Sequence, residues 1–180
     1  MGIRSSALLC AFSVALTAVS LPQAGGNAAL AAPDKPTSTQ RKGSGLPIPR
    51  FASLRSDEVN VRTGPGSRYP IDWMFKRKAM PVEIVAEYEN WRKIRDWQGA
   101  SGWVHQSLLT GKRSFIVAAK TASLHKTPAA SAEVVAKLEP EVMGEIRSCA
   151  GDWCRVRVSG VSGWIERSGM WGVYKSEPIN

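Results

Sequence analysis

The feature that most constrains the fold of this chain is an internal repeat of about 60 residues. Trp91 and Trp153 each open a basic segment, residues 91–95 in the first copy and residues 153–158 in the second. Each segment then leads to a Ser-Gly-Trp-aliphatic run, which contains Trp103 in the first copy and Trp164 in the second. Because these landmarks keep their order and nearly constant spacing, the sequence predicts two small domains of one fold in tandem.

Each copy also begins with a short alternating segment. Val59–Arg62 precedes a Gly-Pro-Gly turn at residues 64–66, and Ala122–His125 is its counterpart in the second copy. Alternation with a period of two, interrupted by frequent turns, is typical of the short strands of a small barrel. The segment Ala129–Leu138 is rich in alanine, but the repeat aligns it with Arg68–Phe75 and therefore predicts a loop and a strand rather than a helix.

These landmarks resemble the bacterial SH3 domain family. Its typical members begin with a strand like Val59-Asn60-Val61-Arg62 and turn through Gly-Pro-Gly, and they carry a Trp-x-x-aliphatic strand and a closing Gly-Trp-Val or Gly-Trp-Ile. The first copy, residues 51–111, has all of these features, whereas the second, residues 114–172, lacks the asparagine and both turn glycines. The resemblance implies an all-β fold of two partly open SH3-like barrels in tandem, each of five or six strands. It also implies a binding or targeting module for cell-wall peptides or envelope partners, without implying catalysis.

Residues 1–31 are typical of a secretory signal peptide. Arg4 precedes an uncharged stretch, and Ala29-Leu30-Ala31 offers a cleavage site after its last residue. An uncleaved membrane anchor is the alternative, although Pro22 and several polar residues interrupt the apolar stretch. The signal peptide predicts a secreted or periplasmic protein, with membrane contact only if this segment stays uncleaved.

The segments on either side of the two repeat copies, apart from the signal peptide, carry little to bury. Residues 32–50 are rich in proline and charged residues and predict a flexible linker, and residues 173–180 predict a C-terminal tail. Without Arg4, 23 basic and 15 acidic residues give a net charge of +8, and the linker and the two repeat regions contribute +3, +3 and +2. This even distribution predicts no concentrated basic patch, which argues against nucleic acid and favours weak attraction to anionic envelope polymers.

Few residues are suited to catalysis. His105 and His125 are the only histidines, and neither lies in a motif that supplies a nucleophile and an orienting acid. We expect His105 to be a surface or turn-capping residue and His125 to occupy the strand position of Arg62. We therefore expect no enzyme activity, no cofactor and no metal site.

Cys149 and Cys154 flank a predicted turn between two strands. Without nearby histidines the pair is a poor zinc site. In an exported protein it predicts a cross-strand disulfide, with two reduced core thiols as the alternative. Such a bond would contribute about 2 kcal/mol and would stabilise the copy that has lost its turn glycines.

Alternation along the basic strand of the first copy defines a candidate binding surface. Trp91, Lys93 and Arg95 fall on the side opposite Ile94. Aromatic rings and cations on one side suit a peptide or an anionic polymer, while the alternative for the repeated tryptophans is packing inside the barrels. The candidate ligand-binding residues are Tyr69, Trp91, Lys93, Arg95 and Trp97.

Two functions remain open at this level. The first is a non-enzymatic exported module that binds peptidoglycan or another cell-envelope component through its SH3-like barrels. The second is a protein–protein adaptor or structural envelope protein with no cell-wall ligand. The first copy keeps the Gly-Pro-Gly turn and more of the aromatic residues, so we expect it to be the binding copy.

Overall fold

The computed structural model describes residues 43–180. The predicted signal peptide and the first part of the predicted linker lie outside the described residues. The rest of the linker contacts the first barrel, because Ser44 donates hydrogen bonds from its backbone nitrogen and its hydroxyl to the Glu87 carboxylate at 2.5 and 2.7 Å. Between residues 43 and 180, we find no helix that has both the length and the apolar character needed to cross a membrane.

The first barrel, barrel one, is an antiparallel sheet of seven strands. These are β1 (Arg50–Leu54), β2 (Val59–Arg62), β3 (Ile71–Phe75), β4 (Pro81–Tyr88), β5 (Trp91–Arg95), β6 (Ser101–His105) and β7 (Leu109–Thr110). Their order in the sheet is β3-β2-β6-β5-β4-β1-β7. Alternation places Val59 and Val61 in the interior and exposes Asn60 between them, as the sequence pattern predicts.

The second barrel, barrel two, repeats this topology strand for strand. Its strands are β8 (Ser114–Val117), β9 (Ala122–His125), β10 (Val134–Leu138), β11 (Met143–Ala150), β12 (Trp153–Val158), β13 (Val161–Glu166) and β14 (Met170–Trp171). They are ordered β10-β9-β13-β12-β11-β8-β14. The prediction of two tandem all-β SH3-like barrels is confirmed, and the two-residue strands β7 and β14 bring each sheet to seven strands.

Helical structure in the described part of the chain is limited to two short 3₁₀ turns, Gln106–Leu108 and Arg167–Gly169, each directly after a closing strand. The alanine-rich segment forms a turn followed by β10, which matches β3 of barrel one. The repeat therefore predicts the structure of this segment correctly against its helix propensity.

Each barrel has its own hydrophobic core. The core cluster of barrel one consists of aliphatic side chains, whereas that of barrel two also contains Phe115, Met170 and the two cysteines. The repeated tryptophans are half-buried and belong to neither core. These four residues are Trp91, Trp103, Trp153 and Trp164. Packing inside the barrels is therefore not their role.

The glycine of each Ser-Gly-Trp run is required by the close approach of two strands. A Cβ atom on Gly102 would collide with the side chain of Val61. A Cβ atom on Gly163 would lie 2.6 Å from Leu124 Cγ and 2.8 Å from the carbonyl oxygen of His125. Both barrels therefore need glycine at this point in order to close β6 against β2 and β13 against β9.

One cross-strand pair differs in chemistry between the barrels. In barrel one Glu87 lies opposite Arg92, with 3.1 Å between Glu87 Oε1 and Arg92 Nε and both side chains more than nine-tenths buried. The same register position in barrel two holds Cys149 opposite Cys154, joined by a disulfide with the Cα atoms 4.0 Å apart. The predicted disulfide is confirmed, but it takes the place of an ion pair and lies far along the chain from the missing turn glycines.

The Glu87 carboxylate is the centre of a small charged network. Arg50 of β1 also reaches it, with 2.5 Å between Arg50 Nη2 and Glu87 Oε1. Burial by itself raises the pKa of Glu87, but hydrogen bonds from Ser44 and Arg50 outweigh burial and lower the pKa from 4.5 to about 2. The carboxylate therefore remains charged except at strongly acidic pH and joins β1, β4 and β5.

The two barrels pack against each other. The ring of Phe51 on β1 lies with its centroid 4.9 Å from that of Trp171 and 4.6 Å from that of Tyr174. Arg113, in the short connection, lies over the Phe51 ring at 5.7 Å from Cζ to the centroid. The Tyr174 hydroxyl donates a 2.7 Å hydrogen bond to the buried carboxylate of Glu83. These contacts limit the freedom between the barrels.

The predicted C-terminal tail packs on barrel two. The carbonyl oxygen of Ile179 accepts a 2.8 Å hydrogen bond from the backbone nitrogen of Cys149. The buried Arg167 donates to the carbonyl oxygens of Tyr174 and Glu177 at 2.6 and 3.0 Å. The tail is therefore part of the packed structure and covers the hairpin that contains the disulfide.

Candidate functional site

The basic strand of barrel one alternates between two environments. Arg92 and Ile94 of β5 are buried, whereas Trp91 and Lys93 are half-buried and Arg95 is exposed. The predicted separation of the tryptophan and the two cations from Ile94 is confirmed. The outward side of β5 is therefore available to form a binding surface.

The neighbouring strand β6 adds two aromatic rings to this surface. The register places His105 opposite Trp91 and Trp103 opposite Lys93, and directly opposite residues project to the same side of a sheet. The rings of Trp91 and His105 make an edge-to-face contact with 5.5 Å between their centroids. We call these four residues the aromatic–basic face of barrel one.

Sequence reasoning identified Trp91 and Lys93 but missed Trp103 and His105 as members of this face. The signal was present, because Trp103 and His105 alternate with the buried residues Gly102 and Val104. What the sequence did not supply was the register of β6 against β5. That register depends on which backbone hydrogen bonds form across the two strands.

His105 has a second role at the end of β6. Its Nδ1 accepts a 3.3 Å hydrogen bond from the backbone nitrogen of Ser107 and lies 2.7 Å from the Ser107 hydroxyl oxygen. The predicted turn-capping histidine is confirmed. Because capping holds the imidazole in place, the ring is presented to Trp91 in a defined orientation.

Arg95 is already paired within the protein. Its Nε lies 2.9 Å from Glu83 Oε2, and its Nη2 makes a second contact with the same oxygen. Glu83 is buried at the junction with barrel two, where it also accepts the Tyr174 hydrogen bond. The charge of Arg95 is thus used in the junction, whereas Lys93 makes no ion pair within residues 43–180.

Tyr69 and Trp97 lie on loops beside the sheet. The ring of Tyr69 packs so closely over Gly64 that a Cβ atom there would collide with it, which explains the glycine in the Gly-Pro-Gly turn. Arg68 lies over the same ring at 5.4 Å from its Cζ to the centroid. Trp97 is half-buried in the β5–β6 turn, and among residues 43–180 it makes no hydrogen bond or ring contact with the other four candidates.

Barrel two has a related face with different chemistry. Trp153 and Arg155 of β12 lie opposite Glu166 and Trp164 of β13, and Glu166 takes the position that His105 has in barrel one. A pocket of about 290 Å³ adjoins this face. Its polar lining residues include Thr121, Ser123, His125, Glu166 and Ser168. The carboxylate of Glu166 makes the face of barrel two less suited to an anionic ligand than the face of barrel one.

His125 and Arg62 have matched roles in the two barrels. Arg62 Nη1 donates a 2.7 Å hydrogen bond to the carbonyl oxygen of Tyr69, and His125 Nδ1 donates a 3.0 Å hydrogen bond to that of Ala132. The ring of His125 also packs edge-to-face against Trp153, with 5.3 Å between the centroids. The predicted equivalence is confirmed, and both side chains hold the loop that follows the first repeated strand.

The chemistry of the aromatic–basic face is suited to non-covalent binding. Indole rings stack on sugar rings and apolar peptide groups, and the Lys93 ammonium group can pair with a carboxylate. In the described part of the chain, no three His, Cys, Asp or Glu side chains are grouped in a way that would hold a metal ion.

Comparison with known proteins identifies relatives of this fold. A curated relative from Bacillus subtilis (strain 168), named "Putative N-acetylmuramoyl-L-alanine amidase YrvJ", is 26% identical over 125 residues. The alignment covers 63% of this chain and 24% of the relative, so the chain spans about a quarter of that protein's length.

Two solved structures from Trichomonas vaginalis, those of NlpC2 and NlpC1, are each 12% identical to the chain with a TM-score of 0.33. They match 73% and 77% of this chain, which spans about half, 51%, of each of theirs. At this level of similarity we draw no conclusion from them.

The family itself is established by a direct match to the bacterial SH3 domain. Two copies of that domain match, at residues 55–111 and 118–172. Each match falls on one of the two seven-stranded barrels. The chain therefore belongs to the bacterial SH3 domain family and contains two tandem copies of the domain.

Proposed function

We propose that this protein is a non-enzymatic exported module that binds peptidoglycan through the aromatic–basic face of barrel one. The observation that carries the proposal is the placement of Trp91, Lys93, Trp103 and His105 side by side on one surface of a bacterial SH3 domain. Their rings offer stacking surfaces for sugars and peptides, and Lys93 offers a cation to the carboxylates of cell-wall peptides.

The relative supports a ligand of this class. Its name denotes an enzyme that acts on the bond between N-acetylmuramic acid and L-alanine, which is a bond of peptidoglycan. The part of that relative which aligns with this chain is a quarter of its length. A shared module for cell-wall attachment accounts for similarity that is confined to such a part.

The proposal includes export to the cell surface or periplasm. The signal peptide predicted at residues 1–31 supports export. The disulfide between Cys149 and Cys154 supports it independently, because such bonds persist in oxidising compartments.

Sedimentation of the protein with purified peptidoglycan tests the proposal. We expect cosedimentation that persists from low to moderate salt, because stacking on aromatic rings is less sensitive to ionic screening than attraction between exposed charges. Binding that disappears at moderate salt would indicate charge attraction alone. No binding at either salt concentration would favour the adaptor function instead.

Substitutions on the aromatic–basic face test whether peptidoglycan binds there, independently of the test of whether it binds at all. We expect Trp91→Ala to weaken binding about tenfold and Lys93→Gln to weaken it about threefold, as for central and flanking contacts of a binding surface. Arg155→Gln is the matched control, since Arg155 has the position of Lys93 on barrel two. If Lys93→Gln and Arg155→Gln weaken binding equally, the face of barrel one is not the site.

A further inference from the structure

The cleft between the two barrels contains a concentration of positive charge that the sequence does not reveal. The cleft has a volume of about 650 Å³. Ser53 of β1 and Ser114 of β8 both line it and are hydrogen-bonded to each other through their hydroxyl groups. Because the contacts of Phe51 and Tyr174 also join the barrels, the cleft is a fixed part of the fold.

Basic side chains from both barrels and from the connection line this cleft. They are Arg55, Lys78, Lys112, Arg113 and Arg157. Glu145 is the acidic residue in the lining, and it is paired with Arg147 at 2.8 Å. The expectation of an evenly distributed charge is therefore wrong, because folding brings together bases from four separate segments of the chain.

Four of these bases make no ion pair within residues 43–180, and Arg157 is the one of them that lies directly opposite Glu145 in the sheet. Arg113 pairs with Glu177, whereas the other four make no ion pair and no side-chain hydrogen bond there, and all four are exposed. Like charges held together in a concave surface repel each other and raise the local positive potential. An anion that enters the cleft relieves this repulsion, and arginine and lysine both bind phosphate oxygens well.

We propose that the inter-barrel cleft is a binding site for a multivalent phosphate-bearing anion. The four unpartnered charges call for a ligand with several negative charges, and the volume of the cleft exceeds what a single phosphate group fills. This site is separate from the aromatic–basic face, since Trp91, Lys93, Trp103 and His105 do not line it. It gives the protein a second binding function, beyond peptidoglycan, for polyanions or anionic surfaces.

Titration with inorganic tripolyphosphate, followed by calorimetry, tests the site. The triple variant Lys78→Gln, Lys112→Gln, Arg157→Gln removes three of the unpartnered charges. The matched control is Lys120→Gln, Lys137→Gln, Lys175→Gln, which changes the net charge equally at exposed positions outside the cleft. We expect about tenfold weaker binding for the cleft variant and less than about a twofold change for the control.

Backbone amide shifts of the wild-type protein keep the test decisive if a variant fails to fold. We expect tripolyphosphate to shift the amides around Lys78, Lys112 and Arg157 and to leave those of β5 and β6 unchanged. Absence of binding by the wild type, equal weakening in the two triple variants, or shifts outside the cleft would overturn the proposal.

The source of the phosphate groups is resolved by a second measurement, with vesicles containing phosphatidylglycerol. Vesicle binding that the cleft variant loses assigns the site to lipid headgroups. Tripolyphosphate binding without vesicle binding assigns it to a soluble or wall-bound polyanion. The variant Lys93→Gln should keep its affinity for tripolyphosphate, so failure of peptidoglycan binding and failure of the cleft proposal remain distinguishable.

Discussion

Barrel one and barrel two stabilise the same position of a β-hairpin by different interactions. The β4–β5 and β11–β12 hairpins pair in the same register, and both have a bulge at the same point. At the equivalent inward position, barrel one has the ion pair of Glu87 with Arg92, and barrel two has the disulfide of Cys149 with Cys154. The fold therefore accepts either a charge interaction or a covalent bond here.

The ion pair and the disulfide differ in how many further polar partners they need. A buried carboxylate must be matched by donors, so Glu87 also binds Ser44 and Arg50 and draws the segment before β1 onto the barrel. A disulfide brings no charge into the interior and needs no further polar partner. We therefore expect the stability of barrel one to depend on pH and on residues before its first strand, and that of barrel two to depend on the redox state.

Removing the buried carboxylate should have the largest effect. In Glu87→Gln the positive charges of Arg50 and Arg92 lose their partner, so we expect a loss of about 4 kcal/mol in the free energy of unfolding. Urea denaturation at pH 7 measures it. Glu133→Gln is the control, because Glu133 and its partner Lys126 are both largely exposed, and we expect no measurable loss there. Equal stability of the two variants would show that the ion pair does not support barrel one.

The second-largest effect should be the destabilisation of barrel one by acid. The pKa of Glu87 lies at about 2 in the folded protein, below its ordinary 4.5, so the unfolded state binds the proton more tightly. The stabilisation is complete above about pH 4.5 and is lost as the pH falls to about 2, amounting to about 3 kcal/mol. Denaturation curves across this range measure the loss. Glu87→Gln should lack this component, and an identical pH profile for the variant would contradict the assignment.

Loss of the disulfide should have a smaller effect, confined to barrel two. We expect the double variant Cys149→Ala, Cys154→Ala to lose about 2 kcal/mol, because the bond closes a short loop. Hydrogen exchange should show faster exchange in β11 and β12 than in β4 and β5. Reduced wild-type protein should behave like the variant. Equal acceleration in both hairpins would mean that the barrels do not differ in their dependence on this position.

The smallest effect should come from the junction between the barrels. Tyr174→Phe removes the hydrogen bond to Glu83 and should cost about 1 kcal/mol, since Arg95 still partners the carboxylate. Tyr69→Phe is the control, because the Tyr69 hydroxyl makes no hydrogen bond among the described residues. Thermal unfolding measures both variants. A cost from Tyr69→Phe as large as that from Tyr174→Phe would show that the junction bond adds nothing specific.

Much of the fold and part of the candidate site were predictable because their signals are local or are repeated along the chain. Alternation around Ile94 placed Trp91 and Lys93 on one side of β5, and the repeat placed β10 in an alanine-rich segment. The spacing of Cys149 and Cys154 around a turn indicated their bond. The partnership of Trp103 and His105 with this strand was missed because it depends on register, which no single strand contains.

The pairing of Arg95 with Glu83 was missed for a related reason. Glu83 is buried at the junction between the barrels, where it also accepts the Tyr174 hydrogen bond, and a buried carboxylate needs a partner. The junction residues Phe51, Trp171 and Tyr174 belong to no repeated motif. Their contacts could not be found by comparing one copy with the other.

The sequence by itself determined the two tandem SH3-like barrels and the outward direction of the basic strand, and it indicated the disulfide, because alternation, turn residues and the repeat can be recognised along the chain without knowledge of tertiary contacts. Only the tertiary structure decided how the barrels pack and where their charge accumulates. Arg55, Lys78, Lys112 and Arg157 come from separate segments and meet in one cleft. Electrostatic interaction depends on distance in space, and folding sets that distance.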